Sequence, residues 1–298
     1  MSANNPTIAH IKTTPRSAIL LIHCADRMGL VSIVTEFIFK NNGNVLYLDQ
    51  HVDPQEQVFF MRVEWDLTGF TIPDDKIGEY FSVLVAVRCE MEWTLHFSDD
   101  IPRMALFVSR LPHCLHDILA HVEAGDWRVQ VPLIISNHST LEPIAKRLGI
   151  DFHVIPVDKD RKPAQEQQQL DLLHRYNVDF IVLARYMQIV SAEFIAQYPS
   201  RIINIHHSFL PAFPGARPYH SAHERGVKII GATSHYVTAD LDAGPIIEQD
   251  VVRVTHKDTV DDLLRKGQEL EKLVLSRAIW SHLQRRVLVY GNRTVVFP

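Results

Sequence analysis

Cysteine, positive charge and long apolar runs are all scarce in this chain, and each shortage closes off a class of protein. Three cysteines occur in 298 residues, Cys24, Cys89 and Cys114, an odd number with no CxxC spacing, which excludes a disulfide framework and a paired-thiolate zinc site. A reducing cytoplasm suits them. No apolar run reaches the roughly 18 residues of a membrane span, and the start, Met1 to Pro6, has no charged stretch leading into an apolar one, so neither export nor membrane insertion is expected. With 30 Lys and Arg against 35 Asp and Glu, the net charge of -5 offers no basic field to a phosphate backbone, and nucleic acid is not an expected partner. What remains is a globular composition, 46% hydrophobic and 22% charged, long enough for two domains.

From Ala18 to Phe97 the apolar period switches between two and three-to-four residues. Ala18 to Cys24 reads as a strand. A helix follows in which Leu30, Ile33, Val34, Phe37 and Ile38 share a face, ended at Asn41 to Gly43. Two strands come next, Asn44 to Val52 and Val58 to Asp66, with Phe59, Met61, Val63 and Trp65 alternating against Phe60, Arg62, Glu64 and Asp66. A second helix over Asp75 to Ala86 places Ile77, Phe81 and Leu84 inward, and Cys89 to Phe97 reads as a last strand. The order βαββαβ is the ferredoxin-like arrangement, assigned to a domain at 15–98. The turn from Asp26 to Leu30 resembles that of ACT domains, which commonly bind amino acids. The resemblance implies an amino-acid effector near Asp26, Gly29 and Leu30, or a ligand-free oligomerisation module, and in either case a homodimer or homotetramer.

After the polar, proline-ended stretch Ser98 to Pro102 the pattern becomes alternating α/β, assigned to a second domain at 103–298. Strands are expected at Met104–Ser109, Val131–Ser136, Phe180–Ala184, Ile202–His206 and Lys228–Val237. Helices are expected around His113–Val122, Thr140–Leu148, Gln165–Tyr176 and Ser191–Ala196, with Gln165 to Gln169 as a solvated helix start. A long amphipathic helix over Asp258–Gln284 carries Leu263, Leu270, Leu273 and Val274 at helical spacing. Such alternation implies a Rossmann-like, largely parallel sheet with ligands beyond the carboxyl ends of its strands.

The chemistry-bearing residues sit at two strand ends. Period-two geometry puts Asn204 and His206 on one face of their strand, and about thirty residues later His235 leads into a loop carrying Asp242 and Gly244. An imidazole can move protons near neutral pH, a carboxylate can orient it, and an amide can donate to an oxyanion, which suits attack on a carbonyl. Taken singly, each residue also fits a turn or a satisfied strand end.

The pattern Asn-x-His followed by His-x7-Asp resembles the folate-dependent formyltransferase superfamily, over roughly Met104 to Pro298. Carried over position by position, the resemblance implies Asn204, His206 and Asp242 as the catalytic trio and His235 as the second histidine. It further implies a pterin slot formed by Tyr186, Met187, Gln188 and Val190 on one side and Val237, Thr238 and Leu241 on the other. Superfamily members that formylate a phosphorylated amine carry a glycine-rich turn after the first strand of this domain. Here that turn, Ser109 to Leu115, has no glycine, and Leu111 and Pro112 occupy its centre. With His207 following His206 and an ACT-like first domain, the chain resembles the formyltetrahydrofolate deformylase family. That implies hydrolysis of 10-formyltetrahydrofolate with no cofactor, and His207 among the substrate contacts. Formyl transfer to an amine is the alternative. A metal protein is suggested by 17 histidines, among them His220 and His223, but no HExxH is present, and no metal is expected. A non-catalytic amino-acid sensor would leave the trio without a role.

Overall fold

Gly29, with a φ of 89°, makes the left-handed turn between β1 (Ser17–Ala25) and α1 (Leu30–Lys40) in the computed structural model, which describes residues 15–211 and 218–298. The chain then forms β2 (Asn44–Asp53), β3 (Val58–Asp66), α2 (Ile77–Phe81), α3 (Val87–Cys89) and β4 (Glu92–Phe97). These strands make one antiparallel sheet in the order β2-β3-β1-β4, the ferredoxin-like arrangement. Its helix-side core joins Leu20, Ile22, Met61, Val63 and Trp65 to Leu30, Val34, Ile38 and Phe81. The opposite face is not the plain polar alternation the sequence suggests. Phe60 and Arg62 are buried there, Phe60 stacked on His51 at 6.1 Å and Arg62 paired with Glu64 at 2.9 Å under the Tyr47 ring.

The second helix of this unit also departs from expectation. Between α2 and α3 runs a π-turn, Ser82–Ala86, and a wider turn rotates the following side chains. Val85 and Ala86 therefore face the core, while Leu84 is half exposed. Residues 89–91 lie outside the strand, because α3 takes up Cys89 and Glu90 turns the chain with a φ of 49°.

The chain divides at Asp100 and Ile101. The second unit holds β5 (Arg103–Val108), α4 (His113–Ala124), β6 (Gln130–Ser136), α5 (Glu142–Arg147), β7 (Asp151–Val154), α6 (Lys162–Arg175), β8 (Phe180–Leu183), α7 (Ala192–Gln197) and β9 (Ile202–His206). It continues with α8 (Pro218–Arg225), β10 (Ile229–Tyr236), β11 (Ile246–Arg253), α9 (Val260–Leu283), β12 (Val287–Tyr290) and β13 (Arg293–Val296). Seven strands form one sheet ordered β11-β10-β9-β8-β5-β6-β7, parallel from β9 to β7, with β10 and β11 antiparallel. Helices cover both faces. One core gathers residues of α4, α5 and α9, and the other those of α6 and α7. The connections run outward from β5 on one side and then return to its other side, so the switch point lies between β5 and β8.

Sequence periodicity misses β7 and β11 through β13, whose short or half-exposed runs lack a clear alternation. Two other expectations are corrected. Glu166 and Gln169 are buried rather than solvated: the Ser191 backbone N–H donates to Glu166, and the Gln169 amide donates to the Tyr186 hydroxyl at 3.2 Å. On α9 the buried stripe runs through Leu263, Gly267, Leu270, Glu271, Val274 and Leu275, whereas Leu273 is 42% exposed. Leu275→Ala should accordingly destabilise the second unit by about 2–5 kcal/mol. Leu273→Ala should change stability by under about 0.5 kcal/mol. Urea unfolding followed by near-UV circular dichroism measures both.

Candidate active site

Antiparallel pairing of β10 with β9 sets His235 directly opposite Asn204 and Thr233 opposite His206. The residues that stand about thirty positions apart in sequence thus share one patch of sheet. His235 donates from Nδ1 to the Tyr236 carbonyl at 3.0 Å, and an N–H of the Asn204 amide donates to its Nε2 at 3.2 Å. The Ser234 hydroxyl donates to the Asn204 carbonyl at 3.0 Å.

Beyond Tyr236 the chain leaves the sheet and returns at Ile246. This loop is pinched at its base, where the Tyr236 N–H donates to the Pro245 carbonyl at 2.9 Å. A Cβ at position 244 would fall 1.9 Å from the Tyr236 carbonyl oxygen, so only glycine closes the loop this tightly. The loop carries Asp242 in the left-handed region, φ 53°, with Oδ2 3.2 Å from His206 Nδ1 and Oδ1 3.7 Å from His235 Nε2. The hydrogen bond from His206 holds the Asp242 carboxyl well below the usual carboxylate range against the cost of burial.

These groups open onto a cavity of about 630 Å³. Every position that the sequence resemblance assigned to the pterin slot lines it, as do His207 and His235. The loop after β8 contributes the half-exposed Met187 and Ile189, and the loop after β10 contributes Leu241. Tyr186 is buried, its ring edge-on to Phe107 at 5.2 Å and its hydroxyl held by Gln169, so its position is fixed by the core. Apolar walls with a few convergent polar groups at one end suit a flat amphipathic ring.

Sequence reasoning did not single out Arg185 or Glu271. Arg185 follows β8 with a φ of 64° and lines the cavity. Its NH1 donates to His207 Nδ1 at 2.8 Å, and its Nε stands 3.3 Å from Glu271 Oε2. Glu271 is 1% exposed. It accepts from His113 Nε2 at 2.7 Å and from the Tyr219 hydroxyl at 2.8 Å. Burial opposes its ionisation, but the His113 hydrogen bond and the Arg185 charge outweigh it and lower its pKa. His207, by contrast, is brought down to about 4 by burial first and then by the Arg185 cation, so it is neutral at pH 7. Its ring lies 5.0 Å from that of His206. A glutamate on the buried stripe of α9 was the signal available in the sequence.

Among the described residues one group has the makings of a metal site, His113, Cys114 and Glu271. The guanidinium beside Glu271 repels a cation, and burial pushes the Cys114 thiol up and keeps it protonated. His220 and His223 both lie on α8, without a third ligand beside them among the described residues. In the first unit, Gly29 has open space around it, whereas the Leu30 side chain is in the core.

A model of the formyl transferase family matches residues 102–279. The chain is 55% identical to the formyltetrahydrofolate deformylase of Synechocystis sp., over 94% of this chain and 98% of the relative. A crystal structure of a formyltetrahydrofolate deformylase from Pseudomonas syringae pv. tomato superimposes with a TM-score of 0.94 at 41% identity, over 97% of this chain and 96% of that one. A glycinamide ribonucleotide transformylase from Symbiobacterium toebii matches with a TM-score of 0.63 at 34% identity, over 69% of this chain and 98% of its own.

The depressed Asp242 pKa carries a stability signature. A carboxylate whose folded pKa lies below its unfolded value stabilises the fold above the unfolded pKa and loses that contribution as pH falls through the folded one. Asp242→Asn should therefore lower the thermal midpoint at pH 7, and the gap to wild type should narrow as pH falls from about 5 towards 3. Thermal scans across that range measure it, and a gap that widens on acidification would contradict the pairing.

Proposed function

The chain belongs to the formyltetrahydrofolate deformylase family, and from that premise we propose that it hydrolyses 10-formyltetrahydrofolate to formate and tetrahydrofolate. The observation that carries the reading is the convergence of Asn204, His206 and Asp242 at one end of a cavity of the right size and polarity. In this reading Tyr186, Met187, Gln188, Val190, Val237, Thr238 and Leu241 contact the pterin, with His207 and His235 at the formyl end.

Asp242 accepts the Nδ1 proton of His206, which leaves Nε2 as the base that takes a proton from water. The hydroxide equivalent attacks the formyl carbon. One N–H of Asn204 is committed to His235, and the second donates to the oxyanion that forms. When the tetrahedral intermediate collapses, the bond from carbon to the folate N10 breaks, and the proton on His206 passes to N10. Asp242 stays ionised throughout, as its low pKa requires. No cofactor enters this sequence. The formate released would feed purine synthesis, and the tetrahydrofolate would return to the one-carbon pool.

Three wider expectations belong to the same proposal. The cysteines are all buried and unpaired, which suits a cytoplasmic setting, and among the described residues no helix is long and apolar enough to cross a membrane. The first unit is proposed to pair copies of the chain into a homodimer or homotetramer. An amino-acid effector would meet Asp26 and Gly29 and, since the Leu30 side chain is buried, the Leu30 backbone.

The test is to mix purified protein with 10-formyltetrahydrofolate in the absence of amine and assay formate and tetrahydrofolate together. Equal amounts of both are expected, undiminished by EDTA. His206→Ala should lower the rate by about 10²–10⁴-fold. Formyl loss that occurs only when an amine is supplied, with amide as the product, would sink the hydrolase reading.

A further inference from the structure

An open α/β sheet ordinarily takes its ligand in the crevice beyond the switch point of its strands. In this chain a group of polar side chains gathers at the carboxyl ends of β5 and β8, beside the open cavity. Five side chains meet there from separate elements: His113 at the start of α4, Arg185 after β8, His207 after β9, Tyr219 on α8 and Glu271 on α9. We infer that this cluster is a specificity device, occupying the space through which an amine acceptor would reach the formyl carbon and leaving room there for water alone. The inference rests on the hydrolase reading above and names the residues that set its choice of nucleophile.

The cluster has a wet side and a dry side. Arg185 and His207 line the cavity beside His206, whereas Glu271 and Tyr219 are buried behind them. His206 is flanked on its β10 side by Asp242 and on its other side by His207, whose ring lies 5.0 Å away. With folate in the cavity, an acceptor larger than water needs a second approach to the formyl carbon, and Arg185 and His207 stand across it.

The hydrogen bonding inside the cluster centres on Glu271, while His113 Nδ1 and Arg185 Nε are buried without a hydrogen-bond partner among the described residues. Glu271 Oε2 receives His113 and faces Arg185, and Oε1 receives Tyr219. Arg185 spends NH1 on His207. The carboxylate is thus engaged by three groups of this chain. Helix α9 is also notched for this purpose: a Cβ at position 267 would fall 2.1 Å from the Tyr219 hydroxyl, so Gly267 lets Tyr219 reach Glu271 one turn further on. Packing alone does not explain the arrangement, because replacing a buried ion pair by apolar groups of equal volume is often neutral or stabilising.

Opening the cluster should redirect the chemistry without new reagents. The amine nitrogen would bond to the formyl carbon, the bond from that carbon to N10 would break, and the proton lost by the amine would reach N10 through His206. The experiment measures the ratio of amide to formate from 10-formyltetrahydrofolate in the presence of glycinamide. Arg185→Ala with Glu271→Ala removes both charges together, so neither stays buried and unpaired. Arg185→Met with Glu271→Leu removes the same charges but keeps the space filled. His207→Ala opens the mouth without touching the ion pair and serves if the first double variant does not fold. The truncated variants should raise the amide-to-formate ratio by roughly tenfold or more over wild type, and the filled variant should not. A merely structural role would change the rate but leave the ratio alone. The inference is overturned if the folded truncations give only formate, if the filled variant forms amide as readily as they do, or if wild type already does. Wild-type formate release without amine tests the hydrolase reading separately.

Discussion

Strand β10 runs against β9, and its register cannot slip by one residue without sending His235 to the face opposite Asn204. The rest of the site follows from that pairing. It sets the amide against the imidazole, and it starts the Asp242 loop one residue beyond, at a point from which the carboxylate can reach both histidines. A parallel strand at this place would have carried the following loop to the opposite end of β9. The antiparallel return of β10 and β11 at the edge of an otherwise parallel sheet is therefore the means by which two distant sequence motifs meet.

Two carboxylates divide the electrostatic work. Asp242 is partly exposed and faces His206 and His235, whereas Glu271 is enclosed among His113, Arg185 and Tyr219. Between them stand the adjacent rings of His206 and His207. Burial, with the Arg185 cation beside it, keeps His207 neutral, so in the proposed mechanism no second imidazolium stands next to His206 when it takes up a proton.

Much of this was legible in the sequence, and the omissions have physical causes. The βαββαβ order and the α/β alternation follow from periodicity, whereas Asn204, His206 and Asp242 stand out through strand-end chemistry joined to the resemblance to the formyltransferase superfamily. The wider turn at Ser82–Ala86 does not, since a π-turn leaves no compositional mark and only shifts which of Leu84 and Val85 faces inward. Strands β7 and β11 were too short or too evenly exposed for period-two alternation to register. The buried cluster was hidden for another reason. Its five members are scattered from 113 to 271, and apart from His207, which the resemblance implied as a substrate contact, they carry no shared mark until the fold brings them together. Glu271 was the exception, being charged at a position where α9 is otherwise apolar.

The conformation of Asp242 has a consequence for how this position can evolve. Its left-handed backbone, φ 53°, admits glycine, asparagine and aspartate readily and penalises other residues, β-branched ones most of all. In the proposed mechanism the same residue must also hold the Nδ1 proton of His206, which calls for a carboxylate. Asparagine suits the backbone but brings no charge; glutamate, which the chain accepts in a left-handed turn at Glu90, brings the charge on a side chain one methylene longer. Backbone, charge and reach thus bear together on a single residue, and a change that satisfies one of them can still fail another.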